Sequence, residues 1–349
     1  MRDYSERTYL SSTEVASYLG IKVKDVQELI QNNLIPSIIS TSGQYRINLD
    51  DVKKIEKDYK KNLDENELDK NENANFEIKI NNTTQTVILG NSQNMDKLED
   101  NSIHLVITSP PYFNAKMYSH KNISNDLGNI HNIDSWFNEI AKVWREVYRV
   151  IQPGRKFFLN IMNLPIRENG SFRSLNLVGK SIDLCESIGF VFKRDIVWHK
   201  TNGVRAHFGT YPYPGGILIN NMHEFILEFQ KPNDKKFNKY AHLSEEVKEK
   251  SKIDKEFWLS LKNSDVWLMN PEKSGDGRKH IAPFPYDLPY RLIKAYSYIG
   301  ETILDPFCGS ATTLIAAKDL SRNGIGYEIN SDFITITKER FNEEKSNLF

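Results

Sequence analysis

The stretch IHLVITSPPY, residues 103–112, decides how the rest of the chain is interpreted. Its first five residues are β-branched or leucine apart from one histidine, without glycine or proline, which predicts a short buried strand. Proline has no N–H and a fixed φ, so Pro110 and Pro111 end the strand in a stiff, extended turn. Open α/β sheets bind ligands at the carboxyl ends of their strands, so Ser109 is a candidate site residue.

The residues around the two prolines offer three groups that suit a planar ring bearing an amine. The Ser109 hydroxyl and the Pro110 carbonyl can accept hydrogen bonds from an exocyclic NH2 group, and the Tyr112 ring can stack on the planar ring. Alone, this pattern is more typical of a strand that ends in a Pro-Pro turn with a surface tyrosine. A second motif, much later in the chain, changes the interpretation.

That second motif is TILDPFCGSATT, residues 302–313. It is again an apolar strand that runs into a turn rich in glycine and serine, and residues 314–317 then open a helix. The next predicted strand, residues 324–328, ends in the carboxylate of Glu328. A strand, a glycine turn, a helix and a second strand ending in an acid form the layout of a nucleotide site, in which the acid can bind ribose hydroxyls.

Together the two motifs resemble those of the S-adenosylmethionine-dependent DNA amino-methyltransferases. Residues 108–112, TSPPY, are similar to the catalytic S/D/N-P-P-Y motif, and residues 305–313, DPFCGSATT, to the cofactor loop D-P-F-x-G-S-G-T-T. The segment HIAPFP, residues 280–285, resembles the one that precedes this loop. The catalytic motif comes first, as in the circularly permuted β group. The resemblance implies an α/β fold with a Rossmann-like methyltransferase sheet.

The resemblance also implies roles for the residues of these motifs. The expected catalytic residues are Ser109, Pro110, Pro111 and Tyr112. Glu328 would bind the ribose of S-adenosyl-L-methionine, and the turn that begins at Asp305 would hold its amino-acid end. The expected cofactor-binding residues are Phe284, Asp305, Pro306, Phe307, Cys308, Gly309, Ser310, Thr312 and Glu328. Ala311 departs from the family pattern, which has glycine there, and its methyl group predicts an altered cofactor contact.

The implied reaction moves the methyl group of the cofactor to an exocyclic amine of a DNA base, which must leave the duplex to be reached. Serine in the first motif position resembles N4-cytosine enzymes, so cytosine is favoured, and N6-adenine methylation is the alternative. Methylation at carbon 5 of cytosine needs a thiolate nucleophile, usually in a Pro-Cys pair. It is disfavoured here because neither Cys185 nor Cys308 follows a proline. Two other classes stay open: a DNA-binding regulator with an inactive methyltransferase fold, and an enzyme that methylates amines of RNA or protein.

Residues 1–61 are predicted to form a separate small unit. Ser11 through Glu14 fits the S-x-x-E capping box, which opens a helix. The predicted order helix–turn–helix–hairpin–helix resembles the winged helix-turn-helix, an α+β domain, of excisionase and MerR-like proteins. The residues that this resemblance places near DNA are Lys22, Lys24 and Arg46. Such a unit is also typical of protein docking or dimerisation.

Residues 62–75 are almost entirely Asp, Glu, Asn and Lys, which cannot build a core, so we expect a linker there. The methyltransferase domain is then expected over residues 76–349, with target-recognition loops and an insertion around 200–280. Part of that region interleaves basic and aromatic residues, as nucleic-acid contact requires. The candidate DNA-binding residues within it are Lys200, Arg205 and His207.

The overall composition sets limits on partners and location. The formal net charge is zero, so no global field attracts a polyanion, and a DNA surface must be a local basic patch. Two cysteines provide no disulfide framework, and we find no signal peptide or long apolar span, which predicts a cytoplasmic protein. The expected partners are double-stranded DNA and a cognate restriction endonuclease. No membrane and no metal are expected, and the chain is expected to be a monomer or a homodimer.

Overall fold

The computed structural model describes most of the chain, and the positions and contacts below refer to that part. The described residues are 8–19, 23–31, 35–39, 44–54, 75–80, 82–111, 113, 126–130, 132–168, 171–201, 215, 219–233, 237–271 and 284–346. Four of the candidate site residues lie outside them: Lys22, Tyr112, Arg205 and His207. No helix within the described ranges is long and apolar enough to cross a membrane.

The N-terminal unit is a three-stranded antiparallel sheet with two helices. Its elements are β1 (Tyr9–Ser11), α1 (Ser12–Leu19), α2 (Val23–Gln31), β2 (Ser37–Ile39) and β3 (Tyr45–Asn48), with helical residues at 49–54 and the strand order β1-β3-β2. The predicted capping box is confirmed: the Ser11 hydroxyl donates to Glu14 at 2.8 Å, and the Glu14 N–H donates back at 3.3 Å. The helices and the hairpin agree with the sequence pattern. The sequence pattern does not predict β1, because three residues are too few to show alternation.

The second unit is built on a single nine-stranded sheet. Its strands are β4 (Phe76–Ile80), β5 (Thr83–Leu89), β6 (Ile103–Thr108), β7 (Ile151–Ile161), β10 (Val191–Lys200), β11 (His223–Gln230), β12 (Val266–Met269), β13 (Thr302–Asp305) and β14 (Asn323–Glu328), and a separate hairpin is formed by β8 (Leu164–Glu168) and β9 (Ser171–Leu175). The helices of this unit are α3 (Ile133–Val150), α4 (Leu177–Ile188), α5 (Glu245–Lys250), α6 (Lys255–Lys262), α7 (Asp287–Tyr296), α8 (Thr312–Asp319) and α9 (Ser331–Ser346), with a 3-10 turn at Leu127–Asn129.

The order of the strands brings the two sequence motifs together. The sheet runs β12-β10-β11-β7-β6-β13-β14-β5-β4, and its five central strands, from β7 to β5, are parallel. The strand β11 is antiparallel to both of its neighbours, and β4 is antiparallel to β5. Since β6 and β13 are adjacent and parallel, with Leu304 opposite Val106, the segments that follow them leave the same edge of the sheet.

Both faces of the central strands are buried, as expected for parallel strands covered by helices. Along β6, Val106 packs in one apolar cluster with α3 and α4, whereas Leu105 and Ile107 pack in another with α7 and α8. An aromatic and aliphatic stripe on α3 is buried; its members are Trp136, Ile140, Val143, Trp144 and Val147. This packing holds β6 rigidly and fixes where its carboxyl end emerges.

The opposite edge of the sheet carries a buried charged cluster. Glu301 and Arg155 are 1 % and 3 % exposed and form an ion pair, and His242 Nε2 lies 3.0 Å from the Glu301 carboxylate. Beside them, His104 Nδ1 accepts a hydrogen bond from the Thr302 N–H at 3.1 Å, and burial lowers the pKa of its imidazole to about 4.

This grouping of two histidines and a carboxylate resembles a set of metal ligands. However, Arg155 already neutralises Glu301, and a backbone N–H already occupies the lone pair of His104 Nδ1. A metal ion would have to displace both contacts. The cluster therefore has the character of a structural ion pair, which joins β7 to the residue before β13.

Candidate active site

The two motifs meet in a hydrogen-bond network at the carboxyl ends of β6 and β13. Thr108, the last residue of β6, donates its hydroxyl to Asp305 Oδ1 at 2.7 Å across 197 residues of sequence. The same oxygen accepts from the Phe307 N–H at 3.1 Å, and Asp305 Oδ2 accepts from the Thr313 hydroxyl at 2.6 Å. One carboxylate therefore joins the end of β6, the turn after β13 and the first turn of α8.

The burial of this carboxylate sets its ionisation. Asp305 is only 1 % exposed, and burial raises the pKa of its carboxyl to about 6 because the charged form loses its hydration. The two threonine hydroxyls and the Phe307 N–H oppose the shift, since all three stabilise the charged form. The group is thus mostly ionised at neutral pH, where it accepts from all three donors.

The catalytic candidates follow β6 directly. Pro110 is buried, whereas Ser109 and Pro111 are half-buried at the sheet edge. Tyr112 lies outside the described residues, and Phe113 is buried again. The structure thus places the Ser109 hydroxyl and the Pro110 backbone next in sequence to Thr108, and so next to the Asp305 network.

The turn after β13 lies against the end of β14. The Cys308 N–H donates to the Tyr327 carbonyl at 3.0 Å, and the Gly309 N–H donates to Glu328 Oε2 at 3.0 Å. A Cβ on Gly326 would lie 2.6 Å from the Cys308 sulfur, so only glycine allows this close approach. The predicted cofactor turn and the predicted ribose acid are therefore direct neighbours.

Glu328 is a half-buried carboxylate at the strand end. Its second oxygen, Oε1, accepts from the Asn330 N–H at 2.8 Å. Burial raises the pKa of its carboxyl to about 7, and the bonds from Asn330 and Gly309 oppose that shift. The group therefore changes charge near neutral pH.

Ala311 occupies a backbone conformation that favours glycine. Its φ is 65°, its side chain is fully buried, and it precedes α8 without a side-chain cap. Such a conformation costs a residue other than glycine roughly 1–3 kcal/mol. Arg340 of α9 holds both neighbours, because its guanidinium donates to the Ser310 carbonyl and, at 3.1 Å, to the Thr312 hydroxyl. The departure from the family pattern is thus a strained residue in the predicted cofactor turn.

Three further cofactor candidates, Phe307, Pro306 and Phe284, differ in their burial. Phe307 is half-buried and packs edge-on against Trp144, with ring centroids 6.1 Å apart. Pro306 is buried, and Phe284 is 9 % exposed in the apolar cluster that contains Leu288.

The DNA-binding candidates within the described residues do not share one environment. Lys24 is exposed on α2 and Arg46 is half-buried on β3, both in the N-terminal unit. Lys200 is at the end of β10, where its ammonium lies 2.6 Å from the buried carboxylate of Glu224 and its side chain is only 14 % exposed. Lys200 is therefore not a surface lysine of the kind that binds phosphate from solvent.

Several residues of this region were not predicted from the sequence. Thr108 and Thr313 stand inside the two motifs, so their place in those motifs was a usable signal. Arg340 and Glu224 lie far from both motifs in sequence, and only the fold brings them to the site.

Comparison with known proteins identifies relatives of both units. A family model described as DNA methylase matches residues 103–339, and one described as helix-turn-helix domain matches residues 9–55. The type II methyltransferase M.MjaI of Methanocaldococcus jannaschii is 32 % identical over 288 residues, which are 74 % of this chain and 91 % of that protein. The type II methyltransferase M.MthZI of Methanothermobacter thermautotrophicus is 30 % identical over 279 residues, 75 % of this chain and 77 % of that protein.

Solved structures give the same result for the fold. A putative DNA modification methylase of Thermus thermophilus, complexed with S-adenosyl-L-methionine, is 30 % identical and superposes with a TM-score of 0.59 over 74 % of this chain and 93 % of that one. The cytosine-N4-specific PvuII DNA methyltransferase is 18 % identical with a TM-score of 0.54 over 74 % of this chain and 86 % of that one, a likeness of fold alone. The predicted methyltransferase sheet and N-terminal helix-turn-helix are thereby confirmed.

The strain at Ala311 predicts a stabilising substitution. Ala311→Gly should raise the free energy of unfolding by about 1 kcal/mol, because relief of the left-handed backbone outweighs the greater freedom of glycine in the unfolded chain. Urea unfolding measures the change. Ala316→Gly, also buried on α8 but inside the helix, is the matched control and should lower stability by about 1 kcal/mol. Equal destabilisation by both substitutions would show that Ala311 is not strained.

Proposed function

The chain belongs to the DNA methylase family and is a DNA methyltransferase that uses S-adenosyl-L-methionine, and within this activity we propose that it methylates N4 of cytosine. The observation that supports amine methylation at this site is the contact between Thr108 and Asp305, because Ser109 and Pro110 follow Thr108 directly and Asp305 begins the turn after β13. Serine in the first position of the motif resembles N4-cytosine enzymes. The alternative acceptor is N6 of adenine.

Two features of the turn after β13 support a cofactor site there. The helix α8 begins after Ala311 without a side-chain cap, so the N–H groups of its first turn can bind the carboxylate of the amino-acid end. The Glu328 carboxylate at the end of β14 can accept hydrogen bonds from the ribose hydroxyls. The residues proposed to line the rest of the site are Phe284, Asp305, Pro306, Phe307, Cys308, Gly309, Ser310 and Thr312.

When bound, the cofactor supplies an electrophilic methyl group on a sulfonium sulfur. The Ser109 hydroxyl and the Pro110 carbonyl accept from the two N–H groups of the target amine and direct its lone pair at that methyl group. The sulfonium would give up the methyl group and keep the C–S electron pair as a thioether, while the amine held by Ser109 and Pro110 would gain the methyl group and lose a proton. Positioning and electrostatics are sufficient, and no strong base is needed before attack. Tyr112 is proposed to stack on the extruded base.

The substrate of this reaction is proposed to be double-stranded DNA, from which the target base is extruded. The N-terminal unit, residues 1–61, is proposed to approach DNA through Lys24 and Arg46, with residues 62–75 as linker and 76–349 as methyltransferase domain. The helix-turn-helix match over residues 9–55 supports this role. A cognate restriction endonuclease is the proposed functional partner, as the type II names of the relatives suggest.

Ser109→Ala tests the proposed role of the hydroxyl. The variant should lose about 100-fold in methyl transfer to DNA, because the target amine loses an acceptor that orients it, while its cofactor affinity should equal that of the wild type. Tritiated-methyl transfer and calorimetric titration measure the two quantities. Ser102→Ala, just before the other end of β6, is the matched control and should retain both. Equal losses of transfer and cofactor affinity in Ser109→Ala would show that the serine is structural. Cofactor binding by the wild type without transfer to any DNA would indicate a regulator.

Glu328 predicts a pH dependence. The ionised carboxylate is a stronger acceptor for the two ribose hydroxyls than the neutral acid is, so cofactor affinity should rise as the pH rises through about 7. Without cofactor the effect on stability has the opposite sign: the folded state binds the proton more tightly, so stability falls as the pH rises from the ordinary pKa of 4.5 to about 7. Calorimetric titration at several pH values, with Glu328→Gln as the control that removes the titration, measures the affinity. A wild-type affinity independent of pH would exclude Glu328 from the ribose site.

A further inference from the structure

A polar side chain lies beside Ser109 on the same face of the sheet. The strands β6 and β7 are parallel, with Ile107 opposite Phe158 and Thr108 opposite Leu159. Continuing this register by one residue brings Ser109, which directly follows β6, level with Asn160 of β7. Side chains alternate between the two faces along a strand, and Ile107 and Phe158 pack in one apolar cluster. Ser109 and Asn160 therefore begin on the face that this cluster occupies.

Asn160 leads to an ion pair on the next two strands. Its side-chain amide donates to Glu224 Oε2 at 2.6 Å, and Lys200 Nζ lies 2.6 Å from Glu224 Oε1. Asn160 is 2 % exposed, and the Glu224 and Lys200 side chains are 7 % and 14 % exposed. These three residues, called the polar wall below, extend across β7, β11 and β10 at the edge that carries Ser109.

The polar wall is not what packing alone requires. Further from this edge, the same three strands carry apolar side chains. Phe158, Ile226 and Trp198 pack there in one cluster. Burying an ion pair removes both charges from water, and the attraction between them often does not offset the lost hydration free energy. Replacing such a pair by apolar residues is therefore often neutral or stabilising. A polar group whose burial costs folding free energy, and which lies beside the catalytic segment, therefore points to a role in the reaction.

We propose that Lys200 recognises the ring edge of the target base, held in place by Glu224 and Asn160. The proposal rests on the proposed function. A base whose amine is hydrogen-bonded to Ser109 and Pro110 has a ring nitrogen next to the carbon that carries the amine. This nitrogen is N3 in cytosine and N1 in adenine. This nitrogen is an acceptor, and an acceptor taken out of water needs a donor. The lysine ammonium is a donor only.

The spacing of the strands suits this contact. Neighbouring strands lie about 4.8 Å apart, so β10 is about 14 Å from β6. The Ser109 side chain, one base and the Lys200 side chain fill such a gap. Because thymine and guanine carry a proton on the corresponding ring nitrogen, a donor at this position selects cytosine and adenine. Glu224 and Asn160 are positioning residues, which keep the ammonium charged and directed toward the base.

The first test replaces the ion pair by apolar residues of similar size. The double variant Lys200→Met/Glu224→Leu should stay folded and bind S-adenosyl-L-methionine as well as the wild type, and it should unfold at a somewhat lower urea concentration because the buried Asn160 amide loses its acceptor. Its kcat/KM for methyl transfer should fall about 10- to 100-fold, as expected for a lost hydrogen bond to a charged donor. The matched control is Arg155→Met/Glu301→Leu, which removes the buried ion pair at the opposite edge of the sheet and should leave transfer unchanged in folded protein.

The second test changes the base and compares the wild type with the double variant. The target base is first identified from the position that the wild type methylates in DNA. A substrate is then made in which that base is replaced by its deaza analogue, 3-deazacytosine or 1-deazaadenine, which lacks the ring acceptor. The wild type should lose about the same 10- to 100-fold on the analogue. The Lys200→Met/Glu224→Leu variant should lose nothing more on the analogue than on the normal base, because both changes remove the same contact.

The outcomes separate this proposal from the proposed function. A wild type that transfers no methyl group to DNA would contradict the proposed function itself. A wild type that is active but methylates the deaza analogue at the normal rate would overturn the role of Lys200. The role of Lys200 would also be overturned if the loss in kcat/KM from the variant and the loss from the analogue multiply when the two are combined, because independent effects belong to different contacts.

Discussion

The buried carboxylate of Asp305 is the contact on which the geometry of the site depends. It accepts from the last residue of β6, from the turn after β13 and from the first turn of α8, so three segments share one fixed acceptor. A buried hydrogen-bond network of this kind is rigid when every member is satisfied. The proposed catalytic segment and the proposed cofactor turn are therefore positioned together, although 197 residues separate Thr108 from Asp305 in sequence.

The two edges of the sheet show different uses of buried charge. At the edge away from the motifs, Arg155 and Glu301 join strands, and each charge has its partner within the fold. The edge that carries Ser109 has a second buried pair, formed by Glu224 and Lys200. Apolar side chains would also pack at these two positions. We interpret the first pair as structural and the second as part of the proposed base site.

The sequence predicted the framework of the site because its signals are local. Two prolines after β6 and a glycine turn after β13 mark strand ends, and both strands are continuous apolar runs because both of their faces are buried. The meeting of the two motifs followed from the family resemblance. The partner of Lys200 could not be predicted in this way, because the register between β10 and β11 decides which residue it faces. The strain at Ala311 was only suggested by the missing glycine, since a backbone angle is not a sequence property.

One measurement tests the central claim most directly, namely that these segments form a single site for amine methylation. DNA incubated with the protein and S-adenosyl-L-methionine is digested to nucleosides, and the methylated nucleosides are quantified by mass spectrometry. We expect N4-methylcytosine. Its replacement by N6-methyladenine would overturn the choice of base. The absence of any methylated amine, from protein that binds the cofactor and the DNA, would contradict the account as a whole.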